Sequence, residues 1–181
     1  KKWLRQLLPT IEKVTYPNLE VLIVNNGSTD DSAKFLIKNY PKFKVLEIKK
    51  NRGYAGANNL GVKRATGKYI LFLNNDTKVT PNFLGPLVEK IENDKTIGAV
   101  QPQIRNMVNK NAIDSIGSFF TLTGFLYHYG YFQNATEKKY NKELSVYSVK
   151  GACYLMKKKN FLDLGGIDES FVTYVEESDL C

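Results

Sequence analysis

The chain has 181 residues, 43% of them hydrophobic, and carries a formal net charge of +8 from 26 Lys+Arg against 18 Asp+Glu. That length fits one domain with a sizeable core; no apolar run reaches membrane-spanning length, and no charged-then-apolar leader pattern opens the sequence. The basic balance favours anionic partners such as phosphorylated substrates or acidic membrane surfaces, but the lysines lie in short scattered clusters without a nucleic-acid-binding signature, so no nucleic-acid partner is expected.

Leu4, Leu7, Leu8 and Ile11 recur at helical spacing and predict an amphipathic helix over residues 2–14, which Pro9 should kink or shorten. After the Tyr16-Pro17-Asn18 turn, Glu20–Val24 is an apolar, β-branched run that suits a buried strand. Ser28 and Asp31 have capping-box spacing ahead of a helix bearing Phe35, Leu36 and Tyr40. Lys44–Lys49 reads as a second strand and Tyr54–Ala65 as a helix ended by Gly67. Tyr69–Leu73 is a third strand. Thr80-Pro81 opens a helix with Leu84, Leu87, Val88 and Ile91 on one face, and Ile97–Val100 is a fourth strand. This alternation predicts an α/β layer fold with a mostly parallel central sheet and helices on both faces. Residues 105–150 are aromatic, Gly-punctuated and without helical periodicity, which points to irregular or antiparallel structure.

In open α/β sheets, ligands bind at the carboxyl ends of strands. Two such ends are unusually polar: Asn25-Asn26-Gly27-Ser28-Thr29-Asp30 and Asn74-Asn75-Asp76-Thr77. Either alone reads as a capped loop, but together on one sheet edge they mark a polar-ligand site. Asp76 suits a hard divalent cation, Mn²⁺ or Mg²⁺, which takes carboxylate and phosphate oxygens and neutralises a diphosphate leaving group. Glu176, Glu177 and Asp179 form an acidic cluster that is either a solvated helix start or the source of a general base. GxGxxG, GxxxxGK[ST] and GxSxG motifs are absent. His128, the single histidine, sits among tyrosines and reads as a packed aromatic neighbour. Cys153 and Cys181 form no CxxC pair, which argues against zinc and fits a reduced, cytoplasmic setting.

Five stretches then carry a resemblance over essentially the whole chain: residues 16–30; Asn51-Arg52-Gly53-Tyr54-Ala55-Gly56-Ala57-Asn58-Asn59-Leu60-Gly61; Tyr69 to Thr77; Val149-Lys150-Gly151-Ala152-Cys153; and Gly165-Gly166-Ile167-Asp168-Glu169 leading to Glu176–Cys181. In this order the chain resembles family 2 glycosyltransferases of the GT-A fold, most closely their rhamnosyltransferase-like branch. The resemblance implies an inverting, metal-dependent transfer from a dTDP-, UDP- or GDP-sugar to a glycan or lipid-linked acceptor. It places the family's DXD element at Asn74-Asn75-Asp76, with Asp76 as metal ligand, and its catalytic base at Glu177, with Glu176 in reserve. Asn25, Asn26, Ser28, Asn51, Gly53, Asn58, Asn74 and Asn75 would then line the nucleotide. Gly151, Ala152 and Asp179 would line the donor-sugar and acceptor pocket. Residues 1–100 form the nucleotide and metal half and 101–181 the acceptor half of one catalytic domain, acting in the cytoplasm with peripheral contact at the inner face of the cell membrane. Asn25 replaces the family's usual Asp, and Glu177 is one methylene longer than the usual base.

The resemblance further implies an opening strand between Glu20–Val24 and Tyr69–Leu73 and a closing helix after the acidic motif, neither found in these residues. The expectation is a fragment, inactive alone, whose two strands leave a gap or pair with each other. Two rivals are an inactive nucleotide-sugar-binding remnant and a nucleotidyltransferase, which would carry a Gly-rich basic phosphate loop.

Overall fold

The computed structural model describes residues 1–171 and 175–181. Its first hundred residues alternate as expected: α1 (Leu4–Ile11), β1 (Leu22–Asn26), α2 (Ser32–Asn39), β2 (Lys44–Ile48), α3 (Gly53–Arg64), β3 (Tyr69–Leu73), α4 (Leu84–Asn93) and the short β4 (Ala99–Val100). Hairpin-like pieces follow, β5 (Ile104–Arg105) with β6 (Ile113–Ser115) and β7 (Ser118–Phe120) with β8 (Leu126–His128). A 3-10 turn, Lys138–Tyr140, precedes β9 (Cys153–Lys157), α5 (Lys158–Asp163) and α6 (Glu176–Leu180).

Besides the β5–β6 and β7–β8 pairs, the strands form two separate sheets, one parallel and one antiparallel, rather than one mostly parallel sheet. β1 pairs in parallel with β2. β9 returns from the second half of the chain and lies antiparallel between β3 and β4. Its burial explains the position: Cys153, Tyr154, Leu155 and Met156 are all inside, as a strand covered on both faces requires. Phe72 of β3 stacks on Tyr154 at 4.6 Å and meets Phe161 of α5 at 5.3 Å. With Ala55, Val62 and Ile167 these rings form the main core, while Leu84, Leu87, Val88 and Ile91 of α4 pack on the other face against Leu155.

β1 and β3 do not pair with each other. The gap between them is part of a large cleft of about 1510 Å³, walled by Leu4 and Leu8 of α1, Val24, Val62, Ile70 and Leu84. Several local expectations need correction. Pro9 lies inside α1, which spans eight residues, shorter than the periodicity implied. The Ser28–Asp31 capping box does not form; the Asp30 carboxylate accepts the Ser32 N–H at 2.9 Å instead. Thr80-Pro81 does not cap α4, which starts at Leu84, because the Pro81 carbonyl is turned outward to accept from Thr15 N–H at 3.0 Å. Gly67 does not end α3: Ala65 becomes extended, and the Glu20 carboxylate takes the Thr66 N–H at 2.7 Å.

Glu20 thus joins two loops, and it also receives Lys44 at 2.6 Å. The lysine first, then the Thr66 backbone donor, hold its carboxyl down to about 2 from the ordinary 4.5. A depressed carboxylate contributes stability above its unfolded pKa and loses it as pH falls through the folded value. Urea melts of the wild-type chain are therefore expected to weaken steadily between about pH 4.5 and 2, and Glu20→Gln should flatten that limb. Phe72→Ala should lower stability by about 3–5 kcal/mol in the same melts, because it leaves a cavity under two aromatic rings.

Candidate functional site

Every residue assigned to the nucleotide or metal lines the same cleft: Asn25, Asn26, Ser28, Asn51, Gly53, Asn58, Asn74, Asn75 and Asp76. The cleft therefore has two characters, an apolar floor between β1 and β3 and a polar mouth where these strands end. Several of the amides at that mouth are already occupied. Asn25 is buried, and its Nδ2 donates to Glu47 Oε2 at 2.7 Å across the β1–β2 ladder. Asn26 is spent on scaffolding: Nδ2 donates to Asn51 Oδ1 and to the Gly53 carbonyl, while Oδ1 accepts the Arg52 N–H at 2.9 Å. Asn51 Oδ1 also accepts the Gly53 N–H at 2.8 Å. Asn58 Nδ2 bonds back to the Tyr54 carbonyl within α3. Direct contact with a ligand is thus left mainly to exposed Ser28, Asn75 and Asp76 and to the amide oxygen of Asn25, Oδ1.

Gly27 makes the close approach of these two loops feasible. Its φ is +68°, and a Cβ there would sit 2.7 Å from the Asn51 backbone nitrogen. Only glycine suits both demands.

Asp76 stands in the turn that follows β3. The strand end is tied down on both sides, since Thr77 Oγ1 donates to the Asn74 carbonyl at 2.7 Å and Asn74 N–H donates to the Ala152 carbonyl at 3.0 Å. Among the described residues no group of three His, Cys, Asp or Glu gathers to hold a metal. A cation of the Mg²⁺ type binds through one or two carboxylates and completes its shell with water and phosphate oxygens. The residues present fit that case: a single exposed carboxylate suits a cation that arrives with a diphosphate.

The acidic motif lies beyond the cleft mouth, joined to it by residues 150–152. Gly151 N–H donates to Glu177 Oε1 at 3.0 Å, and the Tyr54 phenol donates to the Gly151 carbonyl at 3.1 Å. Burial, then the Glu177 charge, push the Tyr54 phenol well up, so it stays a protonated donor. A Cβ on Gly151 would meet the Glu177 carboxyl at 3.3 Å, so the position leaves no spare room. Glu176, 7% exposed, is buried, and its Oε2 has no hydrogen-bond partner among the described residues. Ser178 is buried against Ser148, Oγ to Oγ at 2.9 Å, and Asp179 is exposed. Val175, just before α6, has φ +71°, a left-handed conformation that a β-branched residue adopts only under local strain. Tyr174, part of the acidic stretch in sequence, lies outside the described residues.

Two contributors were missed from the sequence. Tyr54 is one. Asn59 is another: buried in α3, it donates to the Ile167 carbonyl at 2.8 Å and accepts the Ile167 N–H at 2.9 Å. Arg52 supports the same loop through Glu169 at 2.9 Å. The signal was present, since Asn58-Asn59 is a poor helix-interior pair that needs a tertiary reason. His128, read from the sequence as a packed aromatic neighbour, is half-buried, and its Nδ1 lies 2.8 Å from Ser118 Oγ. Burial first, then Lys150, lower its pKa against the opposing pull of Asp114 and Glu177.

A sequence model described as glycosyl transferase family 2 matches residues 1–162. The chain is 28% identical over 170 residues to the poly-beta-1,6-N-acetyl-D-glucosamine synthase of Staphylococcus epidermidis, covering 92% of this chain and 39% of that protein. It therefore spans about two fifths of the length of such curated relatives. Among solved structures, a mannosyltransferase from Pyrobaculum calidifontis, in complex with GDP-Man and Mn²⁺, superposes with a TM-score of 0.68 at 19% identity, covering 99% of this chain and 47% of that one. GalNAc-T7 with UDP, GalNAc and Mn²⁺ gives 0.74 at 18% identity, with 96% and 36% covered. These likenesses bear out the GT-A fold expected from the motifs.

Gly27→Ala tests the loop scaffold. The substitution should break the Asn26–Asn51–Gly53 network and lower stability in the thermal melt by roughly 1–3 kcal/mol, because backbone rather than a flexible side chain must move.

Proposed function

The chain belongs to glycosyl transferase family 2, and from that premise we propose that it carries the catalytic site of an inverting transferase that moves a hexose from a nucleoside-diphosphate donor to a glycan or lipid-linked acceptor. One observation carries the reading: all nine residues assigned to nucleotide and metal line one cleft, whose mouth is joined through Gly151 to Glu177. Residues 1–100 hold the nucleotide and cation. Residues 101–181 shape the sugar and acceptor pocket through Gly151, Ala152 and Asp179.

Asp76 would hold the divalent cation, Mn²⁺ or Mg²⁺, which when bound offsets charge on the departing diphosphate. Glu177 accepts the proton of the acceptor hydroxyl as that oxygen attacks the anomeric carbon. Its Oε1 is fixed by the Gly151 N–H, which leaves Oε2 as the proton acceptor. Tyr54 holds Gly151 from the other side and so positions the carboxylate. Glu176 is the reserve base, favoured by its unpartnered oxygen and disfavoured by its burial.

The donor is a UDP-, GDP- or dTDP-sugar; the resemblance is to a rhamnosyltransferase-like branch, whereas a relative's name points to N-acetylglucosamine polymers. We place the reaction at the cytoplasmic face of the cell membrane with peripheral contact; among the described residues no helix is long and apolar enough to cross a membrane.

Transfer assays on the intact protein test the assignments. Asp76→Ala should nearly abolish turnover with the melt unchanged, and wild-type turnover at saturating Mn²⁺ would overturn its role. Glu177→Gln should lose on the order of 10²–10⁴-fold in kcat with donor binding retained. Should Glu176→Gln be inactive and Glu177→Gln near normal, the base moves by one residue; normal rates in both would leave the acidic cluster without a catalytic part.

A further inference from the structure

Ser115 to Thr136 contains no Lys, Arg, Asp or Glu, yet it holds nine phenylalanine, tyrosine and leucine side chains. In the fold this stretch includes the β7–β8 hairpin, in which Phe120 faces Leu126 and Ser118 faces His128. Its tip projects two apolar side chains into solvent: Leu122 is 109% exposed and Phe125 73% exposed. Phe120, Tyr127, Tyr131, Phe132 and Tyr147 are also exposed. So many large apolar groups on one segment mark a surface built to be covered.

The tip is not a loose loop. Thr121 N–H donates to the Phe125 carbonyl at 2.8 Å, Gly124 N–H to the Thr121 carbonyl at 3.0 Å, and Phe125 N–H to Thr121 Oγ1 at 3.0 Å. Three of its backbone donors are therefore satisfied within the turn, which holds Leu122 and Phe125 in a defined position. Basic residues flank it. Between residues 105 and 150 six basic side chains accompany three acidic ones. Asp114, Glu137 and Glu143 are each already paired, with Lys150, Lys139 and Lys90. Lys110, Lys138 and Lys142 make no ion pair among the described residues. The turn bearing Lys138 lies beside the hairpin, since Tyr140 packs on Tyr129 and Tyr129 on Phe119.

We propose that the β7–β8 hairpin is a membrane-contacting wedge, with Leu122 and Phe125 entering the interfacial zone of an anionic bilayer, aromatic rings at headgroup level and lysines on the lipid phosphates. Aromatic and basic groups around a small apolar tip are the composition of peripheral binding. A second copy of the chain is disfavoured as occupant by the unpaired lysines each would bring.

The wedge is joined to the acidic motif. At its root Ser118 N–H donates to the Ser148 carbonyl at 2.9 Å, and Ser148 Oγ meets Ser178 Oγ, next to Glu177. Tyr147 packs edge-on against Phe120 at 4.4 Å. A lipid-linked acceptor would thus leave the bilayer beside the proposed base. That last step rests on the function proposed above; the membrane contact does not.

Sedimentation with phosphatidylcholine vesicles containing phosphatidylglycerol tests the wedge. Wild type should pellet with anionic vesicles, less so at high salt, and Leu122→Asp/Phe125→Asp should reduce partitioning by roughly tenfold or more. Because an exposed tip can be altered without touching the core, the circular dichroism melt should not move. Leu122→Trp in a Trp3→Phe background gives a direct probe, whose emission should shift to the blue on vesicle addition. UDP and GDP titrations on the same samples keep the two ideas apart: vesicle binding without nucleotide binding would remove the proposed function and leave the wedge. Wild type that stays in the supernatant, a double variant that pellets equally, an unshifted emission, or a wild-type dimer dissolved by the double variant would each overturn the proposal.

Discussion

Cys153 lies opposite Leu73 in the antiparallel ladder of β9 on β3, and most of the site follows from that register. It places the turn 150–152 at the end of β3, where Asn74 N–H can reach the Ala152 carbonyl. The DXD-like turn and the glycine that holds Glu177 are then neighbours, although they are far apart in sequence. The register is secured by burial. Tyr154 and Met156 point to one face, into the rings of Phe72 and Phe161, and Leu155 points to the other, into α4. A slip of one residue would exchange these faces and move the turn away from the strand end.

A second device fixes the Gly165–Glu169 loop that precedes the acidic motif in sequence. Asn59 binds both backbone groups of Ile167, so its amide substitutes for a missing strand partner in the middle of a loop. Gly166 next to it has φ +86°, and a Cβ there would approach Asn59 Oδ1 to 2.6 Å. Arg52 and Glu169 close the same junction from the surface, where ion pairs contribute little by themselves. The buried amide therefore carries most of the constraint. It links α3, whose first turn faces the nucleotide cleft, to the segment that leads into α6.

The polar mouth of the cleft shows how a site rich in asparagine can be partly spent on its own framework. An amide both donates and accepts, so Asn26 can close three hydrogen bonds between two loops at once. A carboxylate could not donate there. Asn25 follows the same logic, because only a donor can satisfy Glu47 at 2.7 Å. At the position where the resemblance expects an acid, Asn25 thus serves as a donor to an acid on the adjacent strand.

The sequence alone determined the order of the first eight elements, because apolar runs of period two and faces of period 3.6 are local properties. It also determined that Asn25 to Ser28 and Asn74 to Asp76 share one edge, since strand ends in an α/β chain point the same way. Helix starts were less legible: Ser28 and Thr80 are good caps by composition, yet the Asp30 carboxylate takes the Ser32 N–H within the same turn, and the Thr15 N–H from a distant segment takes the Pro81 carbonyl. What only the tertiary structure decided involves pairs distant in the chain. The insertion of β9 between β3 and β4, the gap between β1 and β3, the clamp of Asn59 on Ile167 and the grip of Gly151 on Glu177 each depend on contacts across many residues. No periodicity encodes such contacts; they are selected by what burial leaves without a partner.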